Sequence, residues 1–365
     1  MARDGTARNG AVRFIFQFVR PGNRLARHSF PENSSMPRVL NIGSMNIDYV
    51  YAVPHFVQPG ETLAATGRAL HEGGKGLNQS VAMARAGLEV EHAGLLGIDG
   101  VFLKDFLADQ GVKVDAVRVS DTFPSGHTII QVSPDGENSI LYFPGTNRML
   151  EEARIDELLS GLSEGDFVVL QNEVNDVALW VEKALARNLR VVLNPAPYTA
   201  DIARLPLNRL HALIVNRTEG RGLLEDFTKS EAIDNGETIL EALADRFIRD
   251  EPASGPVLIL TEGSDGVSFK IPGEAPRHFP VFPVTAVDTT GAGDTFAGYA
   301  VKALIEGVEK GKEALLEGIA QATLAAALSV TKHGAAASIP TADDVARERL
   351  ARIERGEWPV QGFQG

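Results

Sequence analysis

Cysteine is missing from this 365-residue sequence, and its absence removes several kinds of chemistry at once. Disulfide bonds and thiolate metal centres are excluded, and a reducing compartment suits such a chain. Long hydrophobic runs are missing too. The apolar stretch at residues 14–19 is too short and too interrupted for a membrane span or a signal-peptide core. We therefore expect a cytoplasmic protein without a membrane anchor.

Basic residues are fewer than acidic ones, with 35 Lys and Arg against 48 Asp and Glu, for a net charge of −13. An acidic surface argues against general binding to nucleic acids or to anionic membranes. It leaves phosphate-bearing small molecules open, because a local cluster of backbone amides can hold phosphate inside an acidic protein. We expect a small-molecule ligand and neither a nucleic-acid nor a membrane partner.

Residues 1–35 differ from the remainder in charge. They carry six arginines and two acids, a net charge of +4, which leaves −17 on the rest of the chain. An arginine-rich, acid-poor start is typical of a transit peptide. The alternative is an upstream extension translated from an early start codon, with Met36 as the natural start. We expect residues 1–35 to be a disordered extension and residues 36–365 to form one large α/β domain.

Strand-like and helix-like segments alternate over residues 167 to 260. This alternation predicts a mostly parallel sheet with helices on both faces. Two irregular β stretches, at about 49–71 and 123–144, lie outside the pattern. The turn at 133–138 predicts a hairpin within the second stretch.

The most informative motif is Asp-Thr-Thr-Gly-Ala-Gly-Asp at residues 288–294. We expect a strand over residues 281–287 before it and a helix after it. Free N–H groups at such a junction, together with the positive helix end, would form an anion site. Asp294 beside that anion is suited to act as general base in phosphoryl transfer, and the alternative is a plain turn with a first-turn charge. The three junction residues are Gly291, Ala292 and Gly293.

A second glycine-rich motif, Glu-Gly-Gly-Lys-Gly-Leu-Asn-Gln-Ser, occupies residues 72–80, about 215 residues earlier. Its glycines permit close backbone approach to a ligand, Lys75 offers a mobile cation, and Asn78 can both donate to and accept from hydroxyls. Leu77 follows Gly76, so the spacing of a Walker A loop is not met. The alternative is a flexible turn with a solvated lysine.

These two motifs, in this order, make the chain similar to the ribokinase/PfkB family of carbohydrate kinases, from Met36 to the C-terminus. The family implies a three-layer α/β/α fold with a mostly parallel central sheet. A small β-sheet lid at about 49–71 and 123–144, and a homodimer formed through that lid, follow from the same resemblance. Further matches are Gly-Ser-Met-Asn-Ile-Asp at 43–48, Pro-Gly-Glu-Thr at 59–62, Asn-Pro-Ala-Pro at 194–197, Asn-Arg-Thr-Glu at 216–219 and Leu-Thr-Glu-Gly-Ser-Asp-Gly at 260–266.

The resemblance implies ATP-dependent phosphorylation of a sugar at its primary hydroxyl, with D-ribose to D-ribose 5-phosphate as the first choice. Asp294 would be the base, and the amides of residues 291–293 would form the anion hole. His127 and Glu72 depart from the apolar residues usual at lid positions. Residues implied to bind the sugar are Asn46, Asp48, Gly74, Lys75, Asn78 and Glu173.

The same resemblance implies an ATP groove, a magnesium ion and a monovalent cation such as K⁺. Glu219 would organise Mg²⁺ through water, and the alternative is a helix cap formed with Asn216. The ATP groove would include Asn216, Thr261, Gly263 and Gly266. The monovalent cation would be held by Asp288 with Thr290, Ser329, Lys332, Gly334 and Ser338.

Three other functions stay open from the sequence. The sugar could be deoxyribose, a ketohexose or a nucleoside, since the shared motifs fix the transfer chemistry and leave the polyol undetermined. A sugar-binding sensor without catalysis would have lost the base or the anion loop, and both are present. A dinucleotide-dependent oxidoreductase is disfavoured, because neither motif reads G-x-G-x-x-G at the first strand-to-helix turn.

Overall fold

A nine-stranded, mostly parallel sheet forms the centre of the described part of the chain, residues 37–228 and 236–360 of a computed structural model. The extension expected at residues 1–35 lies outside the described residues. The described strands are β1 (Val39–Ile42), β2 (Asn46–Ala52), β3 (Gly67–Gly73), β4 (Val90–Gly97), β5 (Val117–Ser120), β6 (Gly126–Val132), β7 (Asn138–Phe143), β8 (Phe167–Gln171), β9 (Arg190–Asn194), β10 (Ala212–Asn216), β11 (Arg249–Asp250), β12 (Ala253–Ser254), β13 (Val257–Thr261), β14 (Val267–Lys270) and β15 (Arg277–Phe279).

The described α-helices pack against this sheet or against one another. They are α1 (Lys75–Arg85), α2 (Val101–Asp109), α3 (Glu152–Ser160), α4 (Val177–Ala186), α5 (Arg217–Thr228), α6 (Gly236–Phe247), α7 (Ala292–Lys310), α8 (Lys312–Ser329) and α9 (Ala342–Glu354). None of them is long and apolar enough to cross a membrane, as far as the described residues go.

The strand order of the main sheet is β15-β14-β13-β10-β9-β8-β1-β4-β5. The pairs β13–β14 and β14–β15 are antiparallel, and the other pairs are parallel. Strands covered on both faces read as continuous apolar runs, and Val-Leu-Asn-Ile in β1 and Phe-Val-Val-Leu-Gln in β8 fit this rule apart from one polar residue each. Those two exceptions, Asn41 and Gln171, lie beneath the candidate site.

Successive strand residues point to opposite faces, so the sheet separates two hydrophobic layers. Val39 joins the layer that includes α1, α7 and α8, whereas Leu40 joins the layer that includes α3, α4 and α6. This is the three-layer α/β/α arrangement that the sequence predicts.

A separate four-stranded sheet has the order β3-β2-β6-β7. Its first strand along the chain, β2, starts at Asn46, four residues after β1 ends. The small sheet therefore begins next to the carboxyl edge of the main sheet. The hairpin predicted around residues 133–138 is present between β6 and β7. Asn46 and Asp48, expected just beyond β1, lie within β2. That this sheet closes over a ligand stays a prediction.

The strand predicted over residues 281–287 is wrong. The last strand of the main sheet ends at Phe279, and the segment that follows has no regular secondary structure. Pro280 and Pro283 lack the N–H groups that a sheet ladder needs. Instead, the N–H groups of Val287 and Asp288 donate to the Val330 carbonyl at 2.7 and 3.1 Å, which fixes the segment against the end of α8.

Helices α1 and α7 approach closely at Gly298. We expect Gly298→Ala to lower the free energy of unfolding by about 1–3 kcal/mol, because an added Cβ would stand 2.4 Å from the Ala82 Cβ and 2.9 Å from the Gln79 carbonyl oxygen. The matched control is Gly293→Ala in the same helix, where an added Cβ meets nothing within 4 Å. Urea unfolding followed by circular dichroism measures both. Equal effects of the two changes would contradict this reading of the helix contact.

Candidate active site

Asp294 lies in the first turn of α7, and both of its carboxylate oxygens are held by amide groups of α1. Gly291 precedes the helix in a left-handed conformation, with φ of 77°, that suits glycine. Asn78 Nδ2 donates to Asp294 Oδ2 at 2.9 Å, and Gln79 Nε2 donates to Oδ1 at 3.0 Å. The residue is only 8% exposed. Two consecutive residues of one helix therefore fix the orientation of this carboxylate.

A buried chain of side-chain amides extends this arrangement to the main sheet. Gln79 Oε1 accepts from Gln171 Nε2 at 2.8 Å, and the same Nε2 donates to Asn41 Oδ1 at 3.0 Å. Asn41 Nδ2 donates in turn to the Gly76 carbonyl and to Ser80 Oγ, at 2.8 and 2.7 Å. Hydrogen bonds in such a network rigidify the groups they connect. Two acceptors of the network, Gln171 Oε1 and Asn78 Oδ1, have no hydrogen-bond partner among the described residues.

A cleft of about 130 Å³ opens beside Asp294 at the carboxyl ends of β9, β10 and β13. Ligands of open α/β sheets bind at this edge. Of the predicted site residues, the cleft brings together Lys75, Asn216, Glu219, Thr261, Gly291, Gly293 and Asp294. Its other lining residues are Asn194, Ala196 and Ile214.

Three predicted sugar residues, two in strand β2 of the small sheet and one just after β8, are held by three side chains to which the sequence analysis gave no role. Asn147 Nδ2 donates to Asn46 Oδ1 at 2.7 Å, and the Thr128 hydroxyl donates to Asp48 Oδ1 at 2.6 Å. The Ser44 hydroxyl donates to Glu173 Oε2. Ser44 lies in the motif at residues 43–48 but was given no role there, and no motif included Thr128 or Asn147. All three contacts join residues that are far apart along the chain.

Glu173 also accepts a hydrogen bond from the Lys75 backbone N–H at 3.3 Å, and this contact connects the small-sheet group to the cleft. Gly74, one residue earlier, has φ of 97° and caps α1. An added Cβ there would lie 2.8 Å from the Ser44 carbonyl oxygen. Packing against Ser44 therefore requires glycine at position 74, whether or not this residue binds the sugar as predicted.

Three carboxylates share the single ammonium group of Lys75. The Asp294 carboxylate is the main cause of the raised pKa of Lys75. Burial raises the pKa values of Glu173 and Glu219, and the Lys75 charge opposes both shifts. The cleft is therefore acidic around one cation, and a phosphate group entering it needs further positive charge or backbone donors.

Asn216 and Glu219 form a reciprocal cap at the start of α5. The Glu219 N–H donates to Asn216 Oδ1 at 2.9 Å, and Asn216 donates back through Nδ2 and its backbone N–H at 2.9 and 3.0 Å. The capping alternative is thus present. Glu219 nevertheless lines the cleft, and its role toward a hydrated Mg²⁺ stays a prediction.

Thr261 lines the cleft at the end of β13, and its hydroxyl donates to the Val215 carbonyl at 3.4 Å. Gly263 and Gly266 lie in the turn between β13 and β14 and do not line the cleft. Just before them, Glu262 pairs with Arg217 at 2.8 Å. The predicted nucleotide role of the two glycines stays a prediction.

Asp288 ties the loop before α7 to the loop after α8. Its carboxylate accepts from the backbone N–H groups of Thr290 and Gly334, both at 2.9 Å. Burial alone would raise the pKa of Asp288, but these hydrogen bonds outweigh burial and lower it. Both hydrogen bonds favour the ionised form of this carboxylate, and its role as a ligand of a monovalent cation stays a prediction.

The other predicted cation ligands lie in the same loops. Ser329 and Ser338 are buried, and their hydroxyls donate to the carbonyls of Ala326 and Ala335 at 2.9 and 3.0 Å. The Lys332 N–H donates to the Ser329 carbonyl at 3.3 Å. The convergence of these groups on a cation stays a prediction.

Comparison with known proteins gives this site its family. Residues 36–342 match the pfkB family carbohydrate kinase pattern. The chain belongs to this kinase family. A ribokinase from Haemophilus influenzae is 34% identical over 304 residues, covering 82% of this chain and 94% of that protein. A deoxyribokinase from Salmonella typhi is 29% identical over 307 residues, covering 82% of this chain and 94% of that protein.

Solved structures of family members share the fold. Ribokinase from Cryptococcus neoformans in complex with ADP gives a TM-score of 0.74 at 32% identity, covering 86% of this chain and all of that one. Ribokinase from Arabidopsis thaliana, complexed with ribose and ATP, gives a TM-score of 0.71 at 28% identity, covering 86% and 98%. The kinase fold and the family predicted from the sequence are confirmed.

The burial of Asp48 in the small sheet should make the stability of the protein depend on pH. Burial raises the pKa of Asp48 to about 6, although the Thr128 hydroxyl opposes the shift. The folded protein thus keeps this proton up to about pH 6, whereas the unfolded chain releases it near pH 3.8. The stability that Asp48 contributes therefore falls as pH rises between those values.

We expect Asp48→Asn to become more stable relative to the wild type by about 1–3 kcal/mol on going from about pH 4 to about pH 7, because the amide never ionises. Urea unfolding at both pH values measures the difference. Asp105→Asn, at an exposed position of α2, is the control and should give a constant difference. A constant difference for Asp48→Asn would show that the carboxyl is not desolvated.

Proposed function

We propose that this kinase transfers the γ-phosphoryl group of ATP to the primary hydroxyl of a sugar, with D-ribose as the preferred acceptor. The observation that carries the proposal is the doubly held Asp294 carboxylate at the wall of a cleft at the sheet's carboxyl edge. The ribokinases among its relatives, one of them complexed with ribose and ATP, support the choice of substrates.

Asp294 acts as the general base in this proposal. Its oxygens accept from Asn78 and Gln79 and retain further lone pairs, so one can take the proton of an attacking hydroxyl. The backbone N–H groups at the start of α7, residues 291–293, would stabilise developing negative charge on the transferred group, although the Ala292 N–H already donates to the Thr289 carbonyl at 3.3 Å. Lys75 lines the same cleft as Asp294, and in this proposal its ammonium group stabilises the same charge.

The sugar would lie between the small sheet and Asp294. Asn46, Asp48 and Glu173 supply acceptors for its hydroxyls, and each is already oriented by a neighbouring side chain. A buried polyol needs such paired groups, because an unpaired buried hydroxyl costs about 1–3 kcal/mol. Gly74 and Lys75 would complete the pocket from the start of α1.

The nucleotide would approach along Asn216 and Thr261, with Gly263 and Gly266 in the adjoining turn. Mg²⁺, held through water near Glu219, would neutralise phosphate charge in this acidic cleft. K⁺, held by Asp288 and the neighbouring loop carbonyls, would stabilise the loop before α7 by electrostatic attraction. The residues present fit both ions, since carboxylate and carbonyl oxygens are their preferred ligands.

The small sheet also suggests a homodimer. Strand β7 is exposed along its whole length and presents Ile140, Leu141 and Phe143, which are 55, 67 and 45% exposed. An uncovered apolar edge strand is a template for pairing with another chain. We infer that two copies associate through this sheet.

Deoxyribose is the second candidate acceptor, because a deoxyribokinase is among the relatives. The two sugars differ by one hydroxyl, and a site that hydrogen-bonds a hydroxyl rejects the analogue that lacks it. His127, near the small-sheet acceptors in β6, is one position where this chain departs from the family's usual apolar residue.

Asp294→Asn should lower kcat by about 10²–10⁴-fold, because the amide cannot accept the proton. Ribose binding, measured by calorimetry without nucleotide, should change little, since the side-chain shape is kept. Asp343→Asn, an exposed acid in the first turn of α9, is the control for activity. If wild type and Asp294→Asn bind ribose equally and neither turns over ATP, the kinase proposal fails in favour of a sensor.

A substrate panel separates the acceptors. With D-ribose, 2-deoxy-D-ribose, D-fructose and inosine, we expect the highest kcat/KM for ribose, with deoxyribose lower by about tenfold or more. Activity should be higher in potassium than in lithium salts, and Asp288→Asn should remove that difference. A strong preference for a hexose or a nucleoside would contradict ribose as the preferred acceptor. Equal rates in the two salts would contradict the proposed cation site.

A further inference from the structure

Strands β10 and β13 end side by side at the cleft beside Asp294. Asn216 and Thr261 are partners in the parallel register, each is the last residue of its strand, and both line the cleft. The next residue of each segment is charged, Arg217 after β10 and Glu262 after β13. These two residues line a separate cavity, which shares no lining residue with the cleft.

Arg217 joins the start of α5 to the turn between β13 and β14. Its Nη2 and Nε donate to Glu262 Oε2 at 2.8 and 3.2 Å. The same Nη2 lies 2.7 Å from Asp265 Oδ2, within that turn. The Ser268 hydroxyl donates to the other carboxylate oxygen of Glu262. We call Arg217, Glu262 and Asp265 the clasp, because one guanidinium group connects two neighbouring segments that each contribute a cleft residue.

The clasp contains a buried charge. Glu262 is 8% exposed, whereas Asp265 is exposed. Removing the cation of a buried pair leaves an uncompensated charge, which is far more costly than losing a pair at the surface. Glu262 is also part of the turn through its backbone, since its N–H donates to the Gly266 carbonyl at 2.8 Å and its carbonyl accepts from the Asp265 N–H at 3.1 Å. Loss of Arg217 should therefore displace the turn together with Glu262.

The turn has little stiffness of its own. Gly263 and Gly266 have φ angles of 61° and 104°, in the region that favours glycine, and glycine restricts the backbone less than any other residue. The position of the turn relative to β10 therefore depends on contacts from outside it, and the contacts of Arg217 are charged and directed.

We propose that Arg217 is a positioning residue for the nucleotide, because the clasp holds the β13–β14 turn at the distance from Asn216 that ATP requires. The inference rests on the proposed function, in which the nucleotide approaches along Asn216 and Thr261 beside this turn. Arg217 acts through the turn and does not itself line the cleft. The proposed sugar acceptors belong to other segments. Loss of the clasp should therefore weaken nucleotide binding and leave sugar binding unchanged.

Arg217→Met tests the clasp, because methionine keeps part of the apolar stem and removes every donor. We expect the KM for ATP to rise about tenfold, with kcat at saturating ATP and the KM for ribose within about twofold of the wild type. The dissociation constant of ADP, measured by calorimetry without sugar, should rise by a similar factor. Arg217→Lys should restore only part of the affinity, since an ammonium group cannot reproduce the forked contacts of a guanidinium.

Arg187→Met is the matched control. The Arg187 side chain is 36% exposed, against 37% for Arg217, and it pairs with Asp156 at 3.2 Å at the end of α4. This variant should leave the KM for ATP unchanged. Asp265→Asn protects the test against a folding defect, because Asp265 is exposed and the buried pair is kept. It should raise the KM for ATP about threefold.

An unchanged KM for ATP in Arg217→Met would overturn the proposal, and Asp265→Asn decides in the same way if Arg217→Met does not fold. An equal rise in the KM for ribose, or an equal effect of Arg187→Met, would also overturn it. If the wild type binds ADP but phosphorylates no sugar, the proposed function fails, and the ADP dissociation constants alone decide whether the clasp positions the nucleotide. A wild type that binds no ADP would overturn both.

Discussion

The hydrogen bonds from Asn78 and Gln79 to the two oxygens of Asp294 are the contacts on which the rest of the site depends. They connect α1 to α7, and they require the two helices to approach as closely as Gly298 permits. Gln79 is itself held by Gln171, which belongs to the central strand β8. The orientation of one carboxylate is therefore set by the core of the sheet, and not by a mobile loop. In the proposed reaction, a base held in this way would need no reorganisation when substrate binds.

Charge balance in the cleft follows from this constraint. Asp294, Glu173 and Glu219 all act on the ammonium group of Lys75, so the protein alone provides more negative than positive charge. In the proposed reaction, a polyphosphate would raise that imbalance further. Backbone N–H groups at the start of α7 would offset part of this negative charge without adding a competing ionisable group. In the proposed reaction, cations that bind with the nucleotide would neutralise the remaining negative charge. The carboxylate and carbonyl oxygens of the site are suitable ligands for such cations.

The sequence predicted the family and the layered fold, because local motifs carry the family resemblance and the alternation of strands and helices indicates a parallel sheet. Several predicted site residues line one cleft, and their roles stay a prediction. It failed over residues 281–287, where an apolar pattern suggested a strand and Pro280 and Pro283 prevent one. It also missed Ser44, Thr128 and Asn147, whose partners are 80 to 129 residues away along the chain. Contacts at such separations depend on strand register, which a single sequence does not reveal.

The glycine-rich motif at residues 72–80 has a packing role that the sequence analysis did not include. Its glycines were interpreted as room for a ligand, yet an added Cβ at Gly76 would lie 2.4 Å from Gly43, and one at Gly73 would lie 2.0 Å from Asp48. These glycines are needed for packing even before any ligand binds. The polar residues Asn41 and Gln171 carry more functional information, because a buried amide in an apolar strand has to be hydrogen-bonded. Here both belong to the network under Asp294, so a polar exception in a buried strand is the stronger marker of the site.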